Sequence, residues 1–290
     1  MPELPEVETI ARGVDARVRG DQIVDVWFGS HREPFNTPAK LQARGLQERR
    51  IVSVHRIGKH IVMELGLRPG GPATAGGSTK PDNEIAAQWI VHLGMTGRLL
   101  VTTPEAEVAK HTHARLTLKS GREIRFVDPR RFGRLEFRDL RKRGEPAGFE
   151  AKGAEPLKIG AGEFAKLFRG RKLAVKAALL NQTLMAGVGN IYADESLFRA
   201  GIRPRRRSGR LTGTQLEKLR IALKEILEHA IRLGGSSVSD YVDAEGVRGF
   251  FQLEHCVYQR TGEPCRTCGK PIKRIVVAGR STHYCAHCQR

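Results

Sequence analysis

Two pairs of cysteines, Cys265 with Cys268 and Cys285 with Cys288, are separated by sixteen residues. This spacing places two sulfurs on each of two tight turns, the arrangement that presents four thiolates to one tetrahedral zinc ion. With every coordination position filled by protein, no site stays open for a reacting water. The expected metal is therefore a single structural Zn2+. The fifth cysteine, Cys256, stands alone, a distribution unlike a secreted disulfide framework and suited to a reducing compartment. The opposite end of the chain offers a different chemistry. An α-amino group has a reference pKa near ~7.7–8.0 against about 10.4 for lysine, so roughly a tenth of it is free amine at pH 7. Once Met1 is removed, Pro2 would present a secondary amine. Its adduct with a sugar carbon is an iminium that stays cationic without a proton, an electron sink for eliminating phosphate groups. Glu3 and Glu6 are near enough in sequence to move protons. The competing reading of PELPEVE is an acidic, Pro-started helix cap.

Other segments carry two readings each. In AGVGNIYADESLFRAGIRP, Gly187 and Gly189 precede Asn190, a good N-cap, and Gly201 with Pro204 closes a helix. A glycine loop opening a helix can seat a phosphate, or can be an ordinary turn. HLGMTG (92–97) and DPRRFGR (128–134) place Met95, Phe132, Arg130 and Arg131 at strand ends. Met95 and Phe132 could wedge into a base stack beside cations that touch a base or phosphate, or could lie in a core. Lys59, in RIGKH, falls at a hairpin turn, where a lysine is usually solvated. His111 and His113 are either phosphate contacts or surface residues. Lys176 is a further cation expected to touch DNA. KPIKRIVVAGRSTHY, between the cysteine pairs, reads as two strands joined at Ala278-Gly279-Arg280, with Arg280 projecting from the tip of a metal-pinned hairpin.

Positioning these groups requires an organised chain. Val7, Ile10, Val14 and Val18 recur at helical steps and predict an N-terminal helix. From Ile23 to Asp139 the pattern is one of short β-rich runs, IVDVWFG, RIVSVHRI, KHIVMELG, QWIVHLGM, ARLTLKSGREIRFV and RLEFRD, which predict a sandwich or barrel. Residues 67–83 are rich in Gly and Pro and read as a mobile surface insertion. The expected domains are 1–141, a β-sandwich with its N-terminal helix; 142–156, a linker; 157–249, helical; and 250–290, a zinc-finger hairpin. The fold class is thus multidomain α+β.

Fifty Lys and Arg stand against 31 Asp and Glu, a formal charge of +19, so the natural partner is a polyanion. There is no run of 18 apolar residues, and the acidic, Pro-interrupted N-terminus is unlike a signal peptide, so the expected location is cytoplasmic without a membrane partner.

PELPEVET, IGKH, HLGMTG, DPRRFG, NQTLMAGVGNIYADE and GEPCRTCG to THYCAHCQ, in that order along nearly the whole chain, resemble the formamidopyrimidine-DNA glycosylase family. The resemblance implies an N-terminal β-sandwich, a helix-two-turn-helix domain and a zinc finger. It also implies excision of oxidised purines (8-oxoguanine, formamidopyrimidines) from double-stranded DNA, followed by β,δ-elimination, by a monomeric bacterial enzyme. On this resemblance Pro2 attacks the sugar C1′, Glu3 opens the ring and transfers protons, and Glu6 supports it. Lys59 holds phosphate near the lesion, and Asn190 and Arg280 clamp the backbone around the flipped nucleotide. Met95, Arg130 and Phe132 fill the void, with Arg130 reading the orphaned cytosine, and residues 234–250 form a lid. Two alternatives remain. An endonuclease VIII-type enzyme for oxidised pyrimidines would typically begin PEGPE, whereas Leu4 stands here. A non-catalytic zinc-ribbon DNA-binding protein would leave Pro2, Glu3 and Lys59 without a role.

Overall fold

The computed structural model describes residues 1–30, 34–67, 84–141, 148–237 and 241–290. Most of the Gly/Pro-rich insertion, part of the expected linker and the centre of the expected lid lie outside those residues. The chain divides into two compact units. One comprises residues 1–2, 6–150 and 237–249, the other residues 3–5, 151–236 and 250–290.

The elements of the first unit, in chain order, are α1 (Leu4–Val18), β1 (Ile23–Phe28), α2 (Ala39–Leu46), β2 (Ile51–Ile57), β3 (His60–Leu65) and β4 (Ala87–His92). They continue with β5 (Arg98–Thr102), β6 (Thr112–Leu118), β7 (Glu123–Val127) and β8 (Arg134–Asp139). The strands form two antiparallel four-stranded sheets, ordered β1-β6-β7-β5 and β2-β3-β4-β8. Their apolar side chains share one core. Leu99, Leu116, Ile124 and Phe126 come from the first sheet; Ile61, Met63, Trp89, Val91 and Leu135 come from the second. Val7, Ile10, Val14 and Val18 of α1 are buried in the same cluster. The helical spacing read from the sequence thus marks a core face, where each such side chain contributes on the order of 1.5–3 kcal/mol.

Two elements of this unit escape the sequence reading. α2 lies inside the stretch read as continuous β, and the β-rich runs omit β5. α2 has few large apolar residues, and the bond that pins it is polar. Buried Gln42 donates from Nε2 to Thr37 O at 2.7 Å, while its Oε1 accepts from Trp89 Nε1 at 3.0 Å. β5 is a five-residue edge strand, and only its register with β7, Leu99 opposite Phe126, makes its inward face apparent. Residues of the expected lid, Tyr241 and Ala244, are buried in the first unit's core, and Val101 N–H bonds Ala244 O at 3.0 Å. Their side chains are apolar surface buried on folding, which a freely opening flap would expose. The described part of the expected linker is also tied down at Phe149, whose N–H donates to Gln88 Oε1 at 2.7 Å.

The second unit contains α3 (Ala161–Phe168), α4 (Val175–Leu180), α5 (Asn190–Arg199), α6 (Gly213–Arg232), and the hairpin β9 (Lys273–Val277) and β10 (Arg280–Tyr284). α6 starts on a reciprocal cap: Gln215 N–H donates to Thr212 Oγ1 and Thr212 N–H to Gln215 Oε1, which stabilises a helix start by about 1 kcal/mol. α5 is largely buried in this unit, with Ile191 through Leu197 all buried. Gly201, at φ +71°, ends it in the left-handed conformation that glycine adopts without steric cost.

Candidate active site

In the second unit the acid of the N-terminal motif sits on the start of α5. Glu3 is buried, and its Oε1 accepts from Ile191 N–H at 3.1 Å, with Tyr192 N at 3.5 Å from Oε2. The unpaired N–H groups and positive dipole end of a helix favour an anion, and here that anion is the chain's own carboxylate. Asn190 is therefore not the N-cap expected from the sequence. Gly189 takes that position with an extended backbone, and a Cβ there would lie on the Glu3 carboxyl carbon. The glycine loop is required by the close approach of Glu3. Leu4 N–H donates to Gly187 O at 3.0 Å, and Gln182 braces the loop from below by accepting from Gly187 N–H and donating to Val188 O.

Asn190, freed from capping, turns its amide to β10, donating from Nδ2 to Ser281 O at 2.9 Å. The same carbonyl accepts from Lys176 Nζ at 2.9 Å, and Lys176 also reaches Thr282 Oγ1 at 2.8 Å and Asp194 Oδ1 at 2.7 Å. Lys176, expected to touch DNA, has no exposed side-chain surface. Burial pulls its ammonium below the usual lysine range while the Asp194 carboxylate opposes that shift. Its visible task is to hold β10. Asp194 also accepts the His283 backbone N–H at 2.9 Å. Its neighbour Glu195, buried and with its pKa raised by that burial, accepts the backbone N–H groups of Cys256, Val257 and Tyr258 at 2.8–2.9 Å. Two adjacent acids of α5 thus fix the strand and the loop that lead into the cysteine module. The sequence reading gave neither a role, although two acids inside a helix that is otherwise buried are a legible sign of an internal anchor.

The hairpin turn is two residues long. Ala278 and Gly279 have φ of +50° and +72°, the pair of positive values that a tight hairpin turn needs, and Arg280 opposite Val277 is the first paired residue of β10. Arg280 is thus one position past the tip where the sequence placed it, and it is exposed. At the far end the four cysteine sulfurs lie within 4.8 Å of one another, with Cys265 to Cys288 at 3.9 Å and Cys268 to Cys285 at 3.5 Å. A tetrahedron of Zn–S bonds of ~2.3 Å has edges of ~3.8 Å, so the donor set fits one structural zinc ion.

The first unit holds the remaining candidates. Pro2 is buried. Lys59 follows Gly58 in the two-residue turn between β2 and β3, and it is buried, not solvated as a loop lysine would be. Met95 and Phe132 are 42% and 48% exposed, so the core reading of these two side chains is wrong. Their loops are locked together. A Cβ on Gly94, at φ +63°, would strike the backbone of Phe132 and Gly133. Fully buried Asp128 accepts from Thr96 Oγ1 at 2.6 Å and from Gly133 N–H at 2.8 Å. Arg131 has φ +56°, uncommon for a side chain of its size. The Arg130 guanidinium lies over the Phe132 ring at 4.6 Å, so a cation and an apolar wedge are presented together. Burial pulls His92 down to about 4, leaving a neutral imidazole whose Nδ1 accepts Gly94 N–H at 3.2 Å. His111 is exposed, whereas His113 is buried with Nε2 2.9 Å from Asp128 O, which removes it as a surface contact. Asp128, the hub of this arrangement, went unassigned in the sequence because its partners lie 32 residues upstream and 5 downstream.

A β-sandwich beginning with Pro-Glu and a helical unit ending in a four-thiolate ribbon define a two-unit zinc protein with a strongly cationic surface. Family models for the formamidopyrimidine-DNA glycosylase N-terminal domain, its H2TH domain and the zinc finger found in FPG and IleRS match residues 1–135, 153–242 and 262–290. A formamidopyrimidine-DNA glycosylase of Solibacter usitatus is 43% identical over 290 residues, all of both chains. Among solved structures, an FPG of Lactococcus lactis in complex with DNA is similar at TM-score 0.85 and 33% identity over all of both chains. The MutM (FPG) protein of Thermus thermophilus is similar at TM-score 0.79 and 37% identity over 99% of this chain and 98% of that one. This chain belongs to the formamidopyrimidine-DNA glycosylase family. It is a base-excision repair enzyme, a DNA glycosylase and abasic-site lyase that binds DNA and carries a structural zinc. No described helix is long and apolar enough to cross a membrane.

Proposed function

We propose that the enzyme excises oxidised purines from duplex DNA through the amine of Pro2 and then cuts the strand on both sides of the vacated sugar. The nitrogen bonds to C1′ as the glycosidic bond breaks and the base departs with a proton. Breaking the C1′–O4′ bond, with a proton passed to O4′, turns this adduct into an iminium, which accepts the electron pair released when a C2′ proton is lost; the 3′ phosphate leaves by β-elimination and, after loss of a C4′ proton, the 5′ phosphate by δ-elimination. With Met1 in place that nitrogen is an amide and carries no nucleophilic lone pair, so the reading requires its removal. The observation that carries the proposal is the seat of Glu3. Next in sequence to Pro2, its carboxylate is held by backbone N–H groups at the start of α5, ready to exchange a proton with the opening sugar. Glu6 supports it. Lys59, Asn190 and Arg280 bind phosphate around the flipped nucleotide, and His111 and Arg131 contact the backbone. Met95 and Phe132 enter the space left by the base, with Arg130 facing the orphaned cytosine. All these roles fall on one chain, which favours a monomer, and the enzyme acts in the bacterial cytoplasm at the nucleoid.

The Lactococcus lactis FPG has been solved with Fapy-dG containing DNA and also with an oxidised pyrimidine, so the purine preference is the part to test. Single-turnover excision from duplexes containing 8-oxoguanine, a formamidopyrimidine or an oxidised pyrimidine is expected to be fastest for the two purines. Faster pyrimidine release would move the chain to the sister activity.

A further inference from the structure

Of the acids in PELPEVE, Glu3 and Glu6 have a part in the site just described and Glu8 has none. Glu8 lies in α1 and meets a cation from the strand beside it. Its Oε2 accepts from Arg56 Nε at 2.8 Å, and its Oε1 from Arg12 Nε at 2.7 Å, one helical turn on. Arg56 stands two residues after Val54 on β2, and so shares the face on which Val54 joins the core with Val7 and Ile10 of α1. Its side chain is 5% exposed and that of Glu8 17%. Burial pushes the Glu8 carboxyl up, but the guanidinium groups of Arg56 and Arg12 outweigh it and hold the group below the usual carboxylate range. An ion pair at the margin of a core is a poor source of stability, since apolar residues of similar size would fill the same place without desolvating two charges. The pair therefore calls for a task besides packing.

That task is visible in a further bond of Arg56, whose Nη1 donates to Gly58 O at 3.2 Å. Gly58 and Lys59 are the two residues of the turn between β2 and β3, with Ile57 opposite His60. Gly58 has φ +60° and Lys59 a negative φ, the pattern of a II′ turn with glycine first. The Gly58 carbonyl belongs to the central peptide of that turn, so the bond from Arg56 fixes the plane from which the Lys59 side chain departs. A second tie sets the direction of α1. Asp15, seven residues on from Glu8 and on the same helix face, accepts from Val54 N–H at 2.6 Å. Asp15 beside Val54 and Glu8 beside Arg56 make α1 antiparallel to β2. The start of α1, and with it Pro2, thus lies at the end of β2 that leads into Lys59.

We propose that Glu8 and Arg56 are positioning residues, which lock the Lys59 turn to α1 so that the Lys59 ammonium is held in register with the amine of Pro2. The inference rests on the reading of Pro2 and Lys59 as site residues. Neither Glu8 nor Arg56 is assigned a contact with the reacting atoms; both act through Lys59. A misplacement on the order of 1 Å in a group at the reacting centre costs up to about 100-fold in rate, so a turn held by one guanidinium is a sensitive point.

The test is a double-mutant cycle, read as the saturating single-turnover rate at which protein lacking Met1 excises 8-oxoguanine from a duplex. Arg56→Gln is expected to slow excision by about 10- to 100-fold. In a Lys59→Gln background the same substitution is expected to cost less than about twofold, because residues that act as one unit do not add. Glu8→Gln, which keeps an oxygen for Arg56 to bond, should show the same pattern with a smaller loss, and it carries the comparison if Arg56→Gln does not fold. The denaturant midpoint of each variant separates loss of fold from loss of position. An Arg56→Gln rate equal to the parent's would overturn the inference. So would a loss by the same factor in the parent and in Lys59→Gln, which would place the effect of the pair elsewhere in the first unit while leaving the reading of Lys59 intact. If Lys59→Gln itself excised at the parent's rate, the reading of Lys59 would fail, and the inference with it.

Discussion

Glu3 and Gly189 depend on each other although 186 positions separate them. The carboxylate needs the free N–H groups of α5, and it reaches them only because position 189 lacks a Cβ. Gly189→Ala is therefore expected to expel the carboxylate and slow excision by about 100-fold or more, the scale of a lost general acid-base, while lesion affinity changes little. Single-turnover kinetics beside a binding titration would separate the two. A parallel fall in affinity would show that the glycine serves phosphate binding, the other role its place before a helix suggests. What could be read at this scale was local. Cysteine spacing and the PELPEVE motif are decided within a few residues, and both carry their chemistry in residue type. The seat of Glu3, the burial of Lys59 and the internal pairing of Lys176 with Asp194 are long-range facts that no spacing rule contains.

At the scale of elements, the loop after β4 and the loop before β8 act as one piece because Asp128 bonds both and Gly94 lets their backbones meet. Asp128→Ala removes charge-assisted hydrogen bonds from a fully buried acceptor and strands their donors. It is expected to destabilise the first unit by about 2–4 kcal/mol, seen as a lowered midpoint in denaturant unfolding. Discrimination between lesion and undamaged duplex should fall with it, since Met95 and Phe132 lose their mounting. Unchanged discrimination would argue that the wedge needs no such support. Most strands, α1 and the helices after residue 157 were legible, because each carries an apolar period that matches its burial. α2 and β5 were not. One is held by the buried amide of Gln42, and the other is too short and too near a turn for its period to register. The hairpin was placed correctly but its tip was off by one, since the positive φ of Ala278 is unexpected for a residue with a Cβ.

For the whole molecule, the zinc ribbon and the sandwich lie in different compact units, and their dependence on metal should differ accordingly. Removing zinc with a strong chelator is expected to unfold the cysteine module and weaken lesion binding by about tenfold or more, because a ribbon this small folds with its metal. The β-sheet signal of the first unit should persist in circular dichroism. Simultaneous loss of both would contradict that independence. The charge excess of +19 was visible in composition alone, but where it gathers was not, since the basic runs at 169–172 and 203–210 meet only after α3, α4 and α5 have packed. The central claim, that the amine of Pro2 becomes covalently joined to the sugar, is tested most directly by borohydride trapping. Protein lacking Met1 is incubated with a duplex containing 8-oxoguanine opposite cytosine, reduced, digested and mapped by mass spectrometry. The account predicts a DNA adduct on residue 2 and a cut strand, both absent in Pro2→Gly. An adduct on a lysine, or excision that survives Pro2→Gly undiminished, would contradict it.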